Sequence, residues 1–236
     1  MEEPQQDAYD ALARSGRMQV IARIHNDFPT KFGLPRQAGL APSLRSKIVF
    51  EPAFRVPEAL RGLEGFSHIW LIWGFSANNS WSPTVRPPRL GGNVRMGVFA
   101  TRSPFRPNPI GLSSVRLEGI EPDGDNGLVL LVSGADLMDG TPIYDIKPYL
   151  PGVDSHPDAA DGFVGTHGQE LLTVEVAPEL AGCLTENQLK TLREILAQDP
   201  RPAYHAEKAE AGRIYGLSYA GRDIHFVVLS GSVRAW

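Results

Sequence analysis

The sequence has one cysteine, no long apolar run and no pattern typical of a signal peptide. A single cysteine, Cys183, cannot form an internal disulfide, which favours a reducing compartment. No stretch reaches the ~18 apolar residues that a membrane-spanning helix requires. We therefore expect a cytoplasmic protein. Hydrophobic residues still make up 42% of the 236 residues, a proportion that predicts a folded core and excludes disorder of the whole chain.

Several familiar functional signatures are also missing. No GxGxxG or P-loop opens a helix, which argues against the common nucleotide-binding folds. The six histidines are scattered and one cysteine cannot anchor a zinc site, so we predict no bound metal. No GxSxG elbow marks a hydrolase nucleophile. Any chemistry must therefore come from residues outside these patterns.

Acidic residues are absent from one long segment of the chain. Residues 65–117 contain no aspartate or glutamate, although the average composition predicts about six there. The segment contains six arginines, which leave 17 of the 23 basic and all 27 acidic residues for the rest of the chain. They are Arg86, Arg89, Arg95, Arg102, Arg106 and Arg116. A cationic segment in an acidic protein indicates a local anionic partner, unless these arginines pair with acids from elsewhere in the fold.

The spacing of apolar residues predicts a mainly β body followed by a small α+β domain. In the body we expect strands over residues 18–25, 47–50, 66–75, 94–100, 113–120, 128–133 and 143–149. The C-terminal domain should contain a strand over 171–176, a helix that begins at a Thr185–Gln188 capping box, and a hairpin over 214–229. The predicted divisions are a tail (1–16), the body (17–152), a linker (153–168) and the C-terminal domain (169–236).

A proline-rich segment over residues 101–111 is the first candidate site. Its three prolines restrict the backbone, so that Arg102, Arg106 and Asn108 become rigidly placed hydrogen-bond donors. Arginine binds carboxylates and phosphates through two parallel hydrogen bonds. The segment therefore predicts an anion-binding loop, the alternative being a structural loop with its arginines in solvent.

Two further segments carry polar groups suited to chemistry. Residues 136–149 contain three carboxylates that could bind an ammonium or ribose hydroxyls, or accept a proton. Asp145 and Lys147 would share one face of a strand and could pair, which is also what an ordinary surface ion pair would do. The second segment, Pro35, Arg36 and Gln37, lies in a long irregular loop over residues 26–42.

These segments together resemble the TsaA/TrmO family of S-adenosylmethionine-dependent tRNA methyltransferases. The resemblance rests on TVRPPRLGGNVRMGVFATRSPFRPNPIG (84–111), LEGFSHIW (63–70), DLMDGTPIYDIKPYLP (136–151) and QDPRPAY (198–204). It implies a β-barrel catalytic domain of the non-Rossmann type, a homodimer, and a methyl donor bound near the subunit interface. It also implies the reaction, methylation of N6 of N6-threonylcarbamoyladenosine beside the anticodon.

The resemblance implies which residues form the site. The cofactor-binding residues would be Pro35, Arg36, Gln37, Phe75, Ser76, Arg102, Leu112, Asp136, Leu137, Met138 and Asp139. We expect Asp139 or Asp145 to accept the proton of the acceptor nitrogen, with Lys147 and Tyr149 orienting the site. The tRNA would contact Arg86, Arg89, Arg95, Arg106, Asn108, Arg201 and Tyr204. Among these, Arg106 is the predicted partner of the threonyl carboxylate.

Three other functions stay open on the sequence. The chain could be an RNA-binding module that has lost its chemistry, although the intact motifs argue against this. It could instead methylate a different acceptor, because the motifs specify the cofactor site better than the acceptor. A purely structural barrel would leave the arginine-rich, acid-free segment unexplained.

Overall fold

The computed structural model describes residues 17–78, 80–87, 90, 94–165, 171–201 and 212–236. Six strands form its largest unit: β1 (Ala22–His25), β2 (Arg45–Phe50), β3 (His68–Gly74), β6 (Ile110–Pro122), β7 (Leu128–Ser133) and β8 (Pro142–Pro148). They close into an antiparallel barrel in the order β1-β2-β7-β6-β3-β8. The predicted β-barrel is therefore confirmed.

Alternation of side chains along the strands fills the barrel. On β3, Ile69, Leu71 and Trp73 point inward and are buried, while Trp70 lies on the outer face and is half-buried. Successive residues of a strand face opposite sides, so two tryptophans three positions apart must point in opposite directions.

The segment between β3 and β6 contains less strand than the sequence predicts. Among the residues that the structure describes there, only β4 (Thr84–Val85) and β5 (Met96–Gly97) pair, and a 3-10 turn, Val98–Ala100, follows directly. The predicted strand over 94–100 is therefore wrong over most of its length. A strand persists only where a neighbour supplies hydrogen bonds, and β4 offers two residues.

In the described residues, the C-terminal unit is a four-stranded sheet with one short and one long helix. Its strands are β9 (Thr173–Val176), β10 (Ile214–Tyr219), β11 (Arg222–Leu229) and β12 (Ser232–Ala235), in the order β10-β11-β12-β9. Helix α1 (Pro151–Asp154) follows β8, and the C-terminal unit contains α2 (Pro178–Ala181) and α3 (Glu186–Ala197). Further 3-10 turns are Pro52–Phe54, Pro57–Leu60, Leu63–Gly65, Gly124–Asn126 and Gly162–Val164.

Helix α3 confirms the predicted capping box. The Thr185 hydroxyl accepts a hydrogen bond from the Gln188 N–H, and the Gln188 side chain accepts one from the Thr185 N–H. Leu192, Ile195 and Leu196 are buried against the sheet. The hairpin of β10 and β11 is also confirmed, whereas β12 was not predicted.

A long loop after β1, over residues 26–44, joins the two units. Phe28 and Leu44 are fully buried in the core of the C-terminal unit rather than in the barrel. The Glu194 carboxylate of α3 accepts hydrogen bonds from the Ser43 N–H at 2.9 Å and the Ser43 hydroxyl at 2.8 Å. The loop is therefore fixed from the C-terminal side. No helix within the described residues is both long enough and apolar enough to span a membrane.

Candidate functional site

Three loops meet at one end of the barrel, where β3 and β7 end and β6 and β8 begin. They are the 26–44 loop, the proline-rich loop over 98–109 and the 134–141 loop between β7 and β8. The Gly39 N–H donates to the Gly134 carbonyl at 2.8 Å, and the Asp139 N–H donates to the Phe28 carbonyl at 2.8 Å. Arg102 donates to the side-chain oxygen of Gln37. Residues far apart in sequence that were predicted to share one site, Gln37 and Arg102, are thus in contact.

Asp136 lies at the centre of this end of the barrel. The Ser113 hydroxyl of β6 donates to Asp136 Oδ1 at 2.5 Å, and the Trp73 indole N–H of β3 donates to Ser113 Oγ at 2.9 Å. Burial raises the pKa of the Asp136 carboxyl above its ordinary value. The Ser113 hydroxyl, the backbone N–H groups of Asp136 and Ala38 and the charge of Arg102 act in the opposite direction. The carboxyl is therefore a desolvated acceptor oriented by several donors.

An aromatic pair lies beside this carboxyl. The rings of Trp73 and Phe75 meet edge to face with their centroids 4.4 Å apart. Gly111 on β6 lies directly under the Trp73 indole, where any Cβ would overlap the ring. The Phe75 N–H donates to the Pro109 carbonyl at 2.8 Å. The end of β3 and the proline-rich loop are therefore fixed against one another.

Arg106 fixes the proline-rich loop from within. Its Nη1 donates to the carbonyls of Val98 at 3.1 Å and Thr101 at 2.7 Å. Its guanidinium also lies over the Phe99 ring, 5.6 Å from the centroid. Arg106, the predicted partner of the threonyl carboxylate, thus also stabilises the proline-rich loop.

Some predicted cofactor contacts face elsewhere. Pro35 is buried, and Arg36 Nη2 donates to the carbonyls of Asp199 and Arg201 in the C-terminal unit, at 3.0 and 3.3 Å. The Leu137 side chain is fully buried in the barrel core. Only the backbone of Leu137 can therefore face the loops, and its contact with the cofactor stays a prediction. Its carbonyl accepts from Asn26 at 2.8 Å.

The four predicted catalytic residues do not form one cluster within the chain. Asp139 lies in the 134–141 loop just before β8, and its Oδ1 accepts from the Asn26 N–H at 3.1 Å and lies 3.2 Å from His25 Nδ1. Tyr149 follows the end of β8 and packs on Trp70, with centroids 5.5 Å apart. An extended strand of this length separates its two ends by roughly 20 Å. Asp139 and Tyr149 of one chain are therefore at opposite ends of β8, and the catalytic roles of the four residues stay predictions.

Asp145 and Lys147 form the predicted ion pair, with 2.9 Å between Oδ2 and Nζ. Asp145 is aligned with Ile72 of β3, and Ile72 with Leu112 of β6. These side chains belong to the outer face of the barrel rather than to its open end. Leu112 is 56% exposed on that face.

The predicted tRNA contacts are spread over several loops. Arg86 and Asn108 are exposed. Of the predicted cofactor residues, Ser76 is also exposed and Met138 is half-buried. Arg95 donates to the Thr84 hydroxyl at 2.9 Å, and Arg201 pairs with Asp199 at 2.7 Å. Arg116, which belongs to the acid-free segment, lies 3.6 Å from Glu118. Arg89 and Tyr204 lie outside the described residues.

Sequence reasoning missed Ser113 and Trp73 as parts of the site. Ser113 is 2% exposed and points inward on a strand whose neighbouring inward positions are otherwise apolar. A lone hydroxyl at an inward position of an apolar strand was the available signal, because such a group needs a buried partner. That partner is Asp136.

The fold and the site define a closed β-barrel protein that brings a desolvated carboxyl, a guanidinium and an aromatic pair together at one end. In the described part of the chain, no group of three or more His, Cys, Asp or Glu side chains is placed to bind a metal ion. Residues 23–155 match the family model of the tRNA-methyltransferase O N-terminal domain, and residues 169–235 match the TrmO C-terminal domain. The chain belongs to the tRNA-methyltransferase O family.

Individual relatives agree with this assignment. The chain is 43% identical over 216 residues to a tRNA (adenine(37)-N6)-methyltransferase of Escherichia coli K12, an alignment that covers 86% of this chain and 89% of the relative. An Eikenella corrodens protein of the same name is 47% identical over 168 residues, covering 70% of this chain and 93% of that protein. A crystal structure of TrmO from Pseudomonas aeruginosa superimposes with a TM-score of 0.73 at 36% identity, covering 93% of this chain and 97% of that one.

Proposed function

We propose that this chain transfers a methyl group from S-adenosylmethionine to N6 of the adenosine at position 37 of tRNA, next to the anticodon. The observation that carries this proposal is the match to the family's N-terminal domain over residues 23–155, which contain all three loops of the site. The Escherichia coli and Eikenella corrodens relatives carry the name of that activity. A relative from Pseudomonas aeruginosa is named a putative S-adenosylmethionine-dependent methyltransferase.

The residues at the end of the barrel fit S-adenosylmethionine. The ligand offers an ammonium and ribose hydroxyls, which suit the Asp136 carboxylate, and a carboxylate, which suits Arg102. The Phe75 ring offers an apolar face to an adenine. Gln37, Ser76 and the backbone of residues 136–139 complete the proposed contacts. When bound, the ligand supplies a methyl group on a positively charged sulfur, and the protein must align it with the acceptor at about 3 Å.

The proposed acceptor is N6 of N6-threonylcarbamoyladenosine. This nitrogen lies beside a carbonyl, so it becomes a good nucleophile only as its proton leaves, and a carboxylate can accept that proton. Asp139 shares the 134–141 loop with Asp136, whereas Asp145 lies on the outer face with Lys147. We assign the proton acceptor to Asp139 first. Turnover would be lost in Asp139→Asn and retained in Asp145→Asn if this assignment holds.

We propose that the active form is a homodimer. Ile110 and Leu112 of β6 are 36% and 56% exposed on the outer barrel face. Asp145 is aligned with Ile72, next to Leu112 in the sheet. A second copy on this face would cover the apolar side chains and bring Asp145, Lys147 and Tyr149 to the interface. Lys147 and Tyr149 would then orient the site across subunits, with Asp145 as the ion-pair partner of Lys147.

We propose that the tRNA lies across the acid-free segment and that the C-terminal domain (169–236) closes over the anticodon loop. The exposed Arg86 and Asn108 would contact phosphates, and Tyr204 would stack on a base. With a substrate of this kind, the protein would act in the cytoplasm. The barrel body (17–152) would bind the methyl donor.

Nucleoside mass spectrometry tests the proposed function directly. The protein is incubated with S-adenosylmethionine and tRNA that carries threonylcarbamoyladenosine, and with an unmodified transcript as control. We expect a gain of one methyl group on the modified nucleoside alone. Binding of S-adenosylmethionine in calorimetry without any methyl gain would contradict the proposed acceptor and leave the proposed cofactor unchanged. Methylation of the unmodified transcript would contradict the proposed substrate specificity.

A further inference from the structure

We propose that Ser113 and Trp73 are positioning residues for the methyl-donor site: they orient the Asp136 carboxylate and the Phe75 ring toward the ligand without touching it. This inference rests on the proposed function. Ser113 is buried on β6 and Trp73 on β3, so neither side chain is part of the loops themselves. They connect the rigid wall of the barrel to the two groups that we expect to meet the donor.

The direction of the hydrogen bonds supports this function. An indole N–H can only donate, so Trp73 Nε1 occupies an acceptor position on Ser113 Oγ, at 2.9 Å. The single proton of the Ser113 hydroxyl then points to Asp136 Oδ1, at 2.5 Å. A hydroxyl in solvent would rotate among partners, whereas this one has its orientation fixed. The two hydrogen bonds from Trp73 through Ser113 to Asp136 therefore donate in the same direction, toward the carboxylate.

The indole also fixes the aromatic contact. It lies flat over Gly111, where no side chain could be accommodated, and Phe75 packs on its edge at 4.4 Å between centroids. Trp73 is 7% exposed, so its ring cannot move without disturbing the barrel core. One side chain thus sets the position of both Phe75 and, through Ser113, Asp136.

The carboxylate needs such support because it is desolvated. The groups that face Asp136 are the Ser113 hydroxyl from β6, the Ala38 N–H from the 26–44 loop and the Arg102 guanidinium from the proline-rich loop. Burial raises the pKa of the Asp136 carboxyl, and the Ser113 hydroxyl lowers it. Without Ser113 the carboxyl should therefore take up a proton at a higher pH and lose the negative charge with which it would bind the ammonium or the ribose hydroxyls of S-adenosylmethionine.

The barrel contains a matched control. Ser133 is also buried, at 4% exposed, and its hydroxyl donates to the Glu118 carboxylate at 2.6 Å. That pair faces Arg45 and Arg116 rather than the loops of the site. Ser133→Ala removes the same kind of hydrogen bond from the same barrel without reaching Asp136.

Isothermal titration calorimetry with S-adenosylmethionine, repeated from neutral pH into the acid range, tests the inference on the full chain. We expect Ser113→Ala to weaken binding by about tenfold, as the loss of a hydrogen bond to a charged group does. As the pH is lowered, the variant should also lose affinity for S-adenosylmethionine at a higher pH than the wild type does. Trp73→Phe should shift the profile in the same direction by less, and Ser133→Ala should match the wild type.

Thermal midpoints of all four proteins separate positioning from folding. A lowered midpoint for Ser113→Ala with an unchanged pH profile would mean a structural role only and would overturn the inference. Equal binding by wild type and Ser113→Ala would overturn it while leaving the proposed function intact. A wild-type protein that binds no S-adenosylmethionine would overturn the proposed function, and this inference with it.

Discussion

At the scale of single residues, the desolvated Asp136 carboxyl is suited to ligand binding but lowers the stability of the folded protein at neutral pH. Asp136 is desolvated at the end of the barrel, and its pKa is raised above the ordinary value of 3.8. A carboxyl with a raised pKa in the folded state stabilises the protein below its unfolded pKa. That contribution is lost as the pH rises from about 3.8 through the folded pKa. Groups that burial places in such positions are often those that bind ligands.

Asp136→Asn should therefore stabilise the folded protein at neutral pH while weakening its binding of the methyl donor. We expect the free energy of unfolding at pH 7 to rise by about 1 kcal/mol, because the amide removes a buried charge and still accepts from Ser113. The loss of stability between acid and neutral pH should become smaller, and donor binding should weaken. Urea unfolding at several pH values and calorimetry measure both effects. A variant that is less stable than the wild type at pH 7 would contradict this account of the carboxyl.

Arg106 should serve both the loop and the substrate. Arg106→Ala removes the guanidinium that donates to the Thr101 and Val98 carbonyls, of which Val98 still accepts from the N–H and the hydroxyl of Thr101. We expect the free energy of unfolding to fall by about 1–3 kcal/mol, because the Thr101 carbonyl loses its charged donor. The enzyme should also lose its preference for the threonylcarbamoylated base over plain adenosine. Competition between the two tRNAs measures the preference, with Arg95→Ala as control. An unchanged preference would leave Arg106 with its loop function alone.

At the scale of elements, the 26–44 loop depends on helix α3. Glu194 accepts from the Ser43 N–H and hydroxyl, and Gln198 donates to the Leu40 carbonyl at 2.7 Å. The same loop carries Gln37, which contacts Arg102 in the site. The two units are therefore coupled through a segment that has no regular secondary structure of its own.

Glu194→Ala should weaken binding of the methyl donor even though Glu194 lies in the C-terminal unit. The loop would lose two hydrogen bonds to a carboxylate, and Gln37 would lose its fixed position. We expect a severalfold higher Kd for S-adenosylmethionine in calorimetry. Glu186→Ala, on an exposed position of the same helix, is the control. Unchanged donor affinity together with weaker tRNA binding would restrict the C-terminal unit to RNA recognition.

At the scale of the whole molecule, both the dimer and the charge distribution are testable. Leu112→Asp places a charge on the outer barrel face, in the middle of the proposed interface, where its desolvation would be costly. We expect a monomer in analytical ultracentrifugation with reduced turnover. Leu171→Asp, at a position that is 70% exposed in the C-terminal unit, should leave the dimer intact. A wild type that is already monomeric would contradict the homodimer.

The acid-free segment should give tRNA binding a steep dependence on salt. Each arginine–phosphate contact contributes roughly 0.7–0.9 to the slope of log affinity against log salt concentration. Arg86→Ala should therefore lower the slope by about one contact. Arg61→Ala, an exposed arginine outside the segment, should not change it. A flat response in the wild type would contradict the phosphate-binding function of the segment.

The sequence by itself determined most of the strands, the capping box and the segments that meet at the site, but not β12 and not the loss of strand over residues 98–100. These follow from local alternation, local capping and turn residues, which act over a few positions. Only the tertiary structure decided that Arg36 binds the C-terminal unit, that Tyr149 lies at the far end of β8 from Asp139, and that Ser113 supports Asp136. Barrel closure sets those distances, because strand register and direction place residues from distant parts of the chain together or apart.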